Sequence, residues 1–274
     1  MDYVPELKAT VAAIGREYKR LAAWFRAFPE ADWKKPTCCT EWNAAKVVGH
    51  LAMGGAFFAS SVRNALKGSQ ALPLGAKDQP DFMRIREEMA QEIAELSPAA
   101  LVERFELNTG DVYGLFSTLK PEDFDRPTWH RRGTFPVRRL VVSRLNELLL
   151  HEWDIRNEAE RPMTQEPLPL AAGNLRQHFQ LFYEMDPVPG LAGTFAFRLT
   201  DGKKWAMRVE DRKAVDLGPG EHKADAAFSA TGSDMLLLST GRGSVEGRRK
   251  EGRFRVEGDE AKASAIIPKL FFPL

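Results

Sequence analysis

The sequence predicts a helical N-terminal domain over residues 1–162, built as a four-helix bundle, followed by a smaller antiparallel α+β domain over residues 163–274. Three observations carry this. Apolar residues recur at helical spacing through the first part. After Pro162 the pattern changes to short alternating runs separated by turn residues. Between the two lies the proline-rich stretch RPMTQEPLPL, which reads as a linker. The length, 274 residues, accommodates one large domain or two ordinary ones.

The first helix is expected over 5–28, where Leu7, Val11, Ile14, Tyr18, Leu21, Ala22 and Phe25 form a stripe that Pro29 ends. A second helix is expected to open at Thr40 as N-cap, with Asn43 three positions on, and to run through EWNAAKVVGHLAMGGAFFASSVRNALKG. Gly68, Pro73 and Gly75 mark a long connection. A third helix covers 79–95, and a fourth follows a break at Ser97–Pro98. PEDFDRPTW reads as a loop, and a last long helix covers 136–159. Segments joined in this way suggest an up-and-down bundle.

In the second part a helix is expected over 168–184. TFAFRLT, KWAMRVE, KAVDLG and DAAFSAT read as strands, separated by turns that include Asp201-Gly202 and Gly-Pro-Gly. SDMLLLSTG reads as a helix capped by Ser233, FRVEGD as a strand, and EAKASAIIPKLFF as a closing helix.

Composition excludes several function classes. Hydrophobic residues make up 43% and charged residues 28%, with a net charge of +1, so no global charge favours nucleic acid or membrane. The N-terminal MDYVPELKAT lacks the basic and apolar regions of a secretory signal, and no stretch is long and apolar enough to span a bilayer. A cytoplasmic location is expected. The adjacent Cys38 and Cys39 read as two reduced thiols, because a disulfide between neighbours is strained and closes almost no loop. There is no G-x-S-x-G elbow around Ser143, no G-x-G-x-x-G and no P-loop.

Chemistry concentrates on two helices. Glu147 and His151 are one turn apart on the last helix of the bundle. That helix is apolar on most sides, which predicts burial, and its narrow polar stripe holds Ser143, Arg144, Glu147, His151 and Asp154. His50 lies on the apolar stripe of the second helix with Val47, Leu51, Gly54, Phe57 and Phe58. Gly49, Gly54 and Gly55 would let neighbouring helices come close. Two imidazoles and a carboxylate are a zinc-type set of three protein ligands that leaves a fourth position open. Asp154 or Asn146 could fix an imidazole tautomer from outside that set. On spacing alone, His50 could equally be a core histidine and Glu147/His151 a surface pair. Of the other histidines, His130 reads as a loop residue, His178 as core and His222 as exposed.

CTEWNAAKVVGHLA and RLNELLLHEWDIR together resemble the DinB-like bundle of the mycothiol-dependent maleylpyruvate isomerase family. Trp42, His50, Leu51 and Ala52 match the first motif, and Arg144, Leu145, Glu147, His151, Trp153 and Asp154 the second. ADAAFSATGSDMLLLSTGR and FRVEGDEAKASAIIPKLFF resemble the family's sterol-carrier-like C-terminal domain. The resemblance implies a divalent metal, zinc by preference, on His50, Glu147 and His151. It implies an enzyme in which the metal lowers the pKa of mycothiol or another low-molecular-weight thiol, which then attacks a small electrophilic substrate. It points to Arg242, on the C-terminal domain, as the residue that meets a substrate carboxylate. Small molecules, not nucleic acid or membrane, are the expected partners. The sequence departs from the family after LLLSTGR, where a longer segment carries Arg242, Arg248, Arg249, Lys250 and Arg253. It reads as an exposed basic hairpin, or as a pocket rim for an anionic or bulky substrate other than maleylpyruvate. Two further readings remain: a non-catalytic module carrying an apolar ligand in the C-terminal domain, and a DinB-like stress protein without catalysis.

Overall fold

A computed structural model describes residues 3–200 and 202–271. The chain divides into two compact units, with the boundary between Arg161 and Pro162.

The N-terminal unit contains α1 (Val4–Arg26), α2 (Ala44–Leu66), α3 (Gln79–Ala94), α4 (Pro98–Thr118) and α5 (Val137–Arg156). α2 packs most extensively on α4 and α3, while α1 packs on α4 and α5, so α1, α2, α4 and α5 make the bundle and α3 flanks it. Each of the three α2 glycines faces a different helix. A Cβ on Gly49 would meet Ala90 O of α3 at 2.9 Å, one on Gly55 would meet Asn108 O of α4 at 2.8 Å, and one on Gly54 would meet Arg144 and Glu147 of α5 at 3.2 Å. α2 is therefore the centre of the unit.

Two local features differ from the sequence expectation. α2 is capped by Asn43, whose side chain accepts from Lys46 N at 3.0 Å, not by Thr40. Thr37 N and Oγ1 both donate to Trp42 O, and Glu41 adopts a left-handed φ of 69°, so residues 37–42 close a loop before the helix can start. PEDFDRPTW is not only a loop. After a turn of 3₁₀ helix over Pro121–Asp125, β1 (Pro127–His130) pairs antiparallel with β2 (Gly133–Pro136). This hairpin lies across α2 and α3: Thr128 Oγ1 donates to Ser61 O at 3.2 Å, and Trp129 meets the Phe82 ring edge-on at 4.7 Å.

The C-terminal unit contains α6 (Leu168–Gly173), α7 (Leu175–Met185), β3 (Ala192–Leu199), β4 (Lys204–Glu210), β5 (Lys213–Pro219), β6 (Ala226–Ala230), α8 (Gly232–Ser239), α9 (Val245–Lys250), β7 (Phe254–Gly258) and α10 (Glu260–Leu270). The strands form one sheet in the order β5-β4-β3-β6-β7. The α+β expectation holds, with one correction: β3 and β6 pair parallel, and the other neighbours antiparallel. The β3–β4–β5 meander fills one edge, so the chain must cross back to reach the other side of β3. Asp201, in the expected Asp-Gly turn, lies outside the described residues, as does Phe272 of the expected closing helix. α8 is capped by Thr231, which accepts from Asp234 N at 3.1 Å, and Ser233 lies inside the helix. The face of the sheet toward α7 and α10 is filled by rings. Phe195, Phe197, Trp205, Phe228 and Phe254 are all buried, and Phe197 stacks on Trp205 at 5.4 Å.

Candidate metal centre

α5 supplies most of the polar groups. It is buried over nearly its whole length, including Arg144, His151 and Asp154. A polar side chain in that position must find a partner or lose its hydration without return. His151 does so through Asp154: Nδ1 lies 2.8 Å from the Asp154 Oδ2. The carboxylate is wholly buried and is placed to accept an Nδ1–H, the tautomer that leaves the Nε2 lone pair for another ligand.

Arg144 organises Glu147. Its guanidinium is fully buried; Nη2 donates to Leu51 O at 2.9 Å and Thr109 Oγ1 at 2.7 Å, and Nη1 to Glu147 Oε2 at 3.2 Å. Burial pulls the Arg144 pKa down, and Glu147 pulls it back up. Three anchors on α2, α4 and α5 thus fix the arginine, and the arginine fixes the carboxylate.

α2 supplies His50. Its ring lies 5.0 Å from the His151 ring, near perpendicular at 74°, and 5.2 Å from Trp42. One turn on, the place of a Gly54 Cβ is 3.2 Å from Glu147 Oε2. His50 therefore faces His151, and Gly54 faces Glu147. The numbers run in opposite directions, so α2 and α5 are antiparallel, and Glu147 lies one turn along their interface from the His50–His151 pair. Any side chain at position 54 would compete with the Glu147 carboxylate for space. His50 also lines a cleft between α2 and α3 with Trp42, Lys46, Met53 and Arg86.

A second group overlaps the first. The donor atoms of Cys39, His151 and Asp154 all lie within 4.8 Å of one another, with Cys39 Sγ 3.9 Å from His151 Nδ1. Cys38 N donates to Asp154 O at 2.9 Å, which docks this loop against the end of α5. Among the described residues neither cysteine forms a disulfide. Sequence reasoning missed Cys39 because 112 residues separate it from His151. Asn146, the alternative residue for fixing an imidazole, is buried, and its amide makes no hydrogen bond among the described residues.

His130 is at the end of β1 and not in a loop; its ring lies 4.6 Å from Phe135, and Nδ1 accepts from Arg132 N at 3.2 Å. Burial, followed by the charges of Arg139, Arg131 and Arg132, pushes its pKa down to about 3. It is a neutral acceptor at physiological pH. His178 is core, packed on Phe182 at 3.9 Å, and His222 is half-buried with Nε2 3.2 Å from Gly218 O.

In the C-terminal unit, Arg242 follows α8, with its backbone N–H on Leu237 O and Nη1 on Thr240 O at 3.2 Å. The basic segment beyond it is not an exposed hairpin. Arg248, Arg249 and Lys250 lie on α9 and Arg253 beyond it, and all are ion-paired within the unit: buried Arg248 to Asp234 and Glu251, Arg249 to Glu260, Lys250 to Glu246, and Arg253 to Asp234.

No curated protein matches the sequence. Residues 180–268 match the SCP-2 sterol transfer family. The crystal structure of a mycothiol-dependent maleylpyruvate isomerase superposes with a TM-score of 0.59, over 87% of this chain and 90% of that one, at 14% identity. A histidine-to-alanine mutant of that enzyme gives the same score and coverage at 13% identity. At such identities the likeness is one of fold. Residues 14–156, more than half of the chain and the stretch holding His50, Glu147 and His151, match the mycothiol maleylpyruvate isomerase N-terminal domain, and the chain belongs to that family.

Proposed function

We propose that this chain is a metal-dependent enzyme that joins a low-molecular-weight thiol of the mycothiol type to a small electrophilic substrate. His50, Glu147 and His151 would hold the metal, and zinc suits two imidazoles and one carboxylate. The observation that carries the reading is the Nδ1–Asp154 bond of His151, because a histidine so held presents Nε2, the arrangement that metal-bound histidines use. When bound, the metal supplies Lewis acidity that favours the thiolate form of a coordinated thiol.

The chain's own residues do the rest. Asp154 keeps the His151 tautomer fixed, and Arg144 holds the Glu147 carboxylate against α2. Trp42 limits the freedom of the His50 ring and covers it on one side. The thiol sulfur would add to an electrophilic carbon of the substrate, then leave again in an isomerisation or remain in a transfer. Arg242 is the candidate for a substrate carboxylate, with a guanidinium fork suited to it. The alternative of an apolar-ligand carrier draws less support, because aromatic rings occupy the covered face of the sheet.

A second ligand set is favoured by one observation, the convergence of Cys39, His151 and Asp154. Against it, tetrahedral ligands about 2.0 Å from a zinc ion stand roughly 3.3 Å apart. The 2.8 Å from His151 Nδ1 to Asp154 is a hydrogen-bond length instead. Cobalt-substituted protein separates the two sets. Under the first, the sulfur-to-cobalt absorption band rises only when a small thiol is added, and His50→Ala abolishes it. A band present without thiol and lost in Cys39→Ser would overturn the first set in favour of the second.

A further inference from the structure

The basic segment of the C-terminal unit is internally neutralised, whereas another group of arginines is not. Among the described residues, Arg86 on α3 and Arg131 and Arg132 at the turn of the β1–β2 hairpin make no ion pair with a carboxylate. Unpaired guanidiniums gathered in one place repel one another and gain from an anion.

Their position is fixed by the hairpin. His130 sits against Phe57 of α2 and Phe135 of β2, and its Nδ1 accepts the Arg132 N–H, which sets the turn. Gln79 at the start of α3 reaches the Arg131 carbonyl at 3.5 Å, and Thr134 Oγ1 donates to Gln70 Oε1 at 2.9 Å. The turn is thereby tied to α3 and to the connection before it. Arg86 lines the cleft that also holds His50. The charges of Arg132, Arg86 and Glu147 all act on Arg131, so its guanidinium is within electrostatic reach of the Arg86 cleft and of the Glu147 carboxylate.

We propose that Arg86, Arg131 and Arg132 form a subsite for an oxyanion, chiefly a carboxylate, beside His50 and Glu147. Guanidinium forks bind carboxylates by paired, charge-assisted hydrogen bonds, and three guanidiniums without a carboxylate partner, partly buried to exposed, are open to such a guest. Partial burial holds both hairpin arginines below the usual guanidinium value, and Arg131 is lowered further by Arg132 and Arg86. Arg139, buried on Phe135, is pushed down to about 9 by burial and then by Arg132. The subsite gives the bundle its own means of orienting an anionic reactant, apart from Arg242. Its meaning for catalysis rests on the proposed function, since it presumes that a reactant carries the anion to His50, Glu147 and His151.

The subsite is testable without metal. Full-length protein stripped by a chelator would be titrated calorimetrically at low salt with succinate, and separately with N-acetylcysteine and its uncharged amide. Succinate should bind the wild type, and the double variant Arg131→Gln/Arg132→Gln should lose about tenfold or more, the scale of lost charge-assisted hydrogen bonds. Arg86→Gln should weaken it in the same direction. Arg84→Gln, on the same helix but paired with Asp81 and Glu88, is the control and should bind as wild type does. Unchanged melting temperatures would show that the variants fold. Preference for N-acetylcysteine over its amide, lost in the double variant without any succinate binding, would keep the subsite and assign the carboxylate to the thiol. Equal affinity of wild type and double variant for both acids, or no binding of either, would overturn it. His50→Ala should leave succinate binding intact, so failure of the metal centre and failure of the subsite are distinguishable.

Discussion

His151 and Glu147 are each held by one neighbour. Asp154 and Arg144 do for these two side chains what isolated ligands on a helix cannot, restricting tautomer and rotamer before anything binds. Asp154→Asn should therefore lower zinc affinity about 10–100-fold, with the bundle still folded. Competition titration with a chromophoric chelator reads this, and unchanged affinity would remove Asp154 from the site. His130 makes a separate prediction. Its pKa is about 3 in the folded protein against 6.5 for an unperturbed histidine, so the unfolded chain binds the extra proton between those values. Stability should hold above about pH 6.5 and fall as pH drops, by about 2 kcal/mol at pH 5, where the unfolded state gains roughly 1.5 pH units of proton binding. Urea unfolding at pH 7 and pH 5 measures it, and His130→Gln should flatten the difference. The spacing of His50, Glu147 and His151 is legible in the sequence because helical periodicity places residues on faces. Cys39 is not, because only the tertiary fold brings its loop to α5.

The approach of α2 to its neighbours decides where those residues meet. Small residues at 49, 54 and 55 let three helices close on α2, and the sequence announces this through its glycines. Gly55→Ala would place a Cβ 2.8 Å from the Asn108 carbonyl, which is backbone and cannot move without shifting α4. It should cost about 1–3 kcal/mol, the scale of overpacking a core, read as a lower melting temperature. An unchanged melting temperature would mean that the α2–α4 spacing is looser than described. The hairpin is less legible. β1 and β2 have four residues each, both contain proline, and neither alternates long enough to declare a strand. The caps fall on Asn43 and Thr231, not on Thr40 and Ser233, for a related reason: several Ser, Thr and Asn residues near a helix start qualify by chemistry, and only the backbone path chooses between them.

At the scale of the molecule, the change of periodicity after Pro162 is the plainest signal in the sequence, and the two compact units part between Arg161 and Pro162. The strands are readable singly. The parallel pairing of β3 with β6 is not, because pairing partners depend on how the chain returns and not on the composition of either strand. The basic segment after α8 cannot be read without its partners, since Asp234, which neutralises Arg248 and Arg253, lies on the preceding helix. Among the described residues no helix is long and apolar enough to cross a membrane. The family match covers the bundle and its three candidate ligands, so the metal is the central claim of the proposed function. The deciding measurement is the metal content, by plasma mass spectrometry, of wild type, His50→Ala and Cys39→Ser purified without added metal. About one zinc or similar divalent ion per chain is expected in wild type and in Cys39→Ser, with its loss from His50→Ala while helix content stays intact. No metal in wild type even after reconstitution, or metal that survives His50→Ala and disappears in Cys39→Ser, would contradict it.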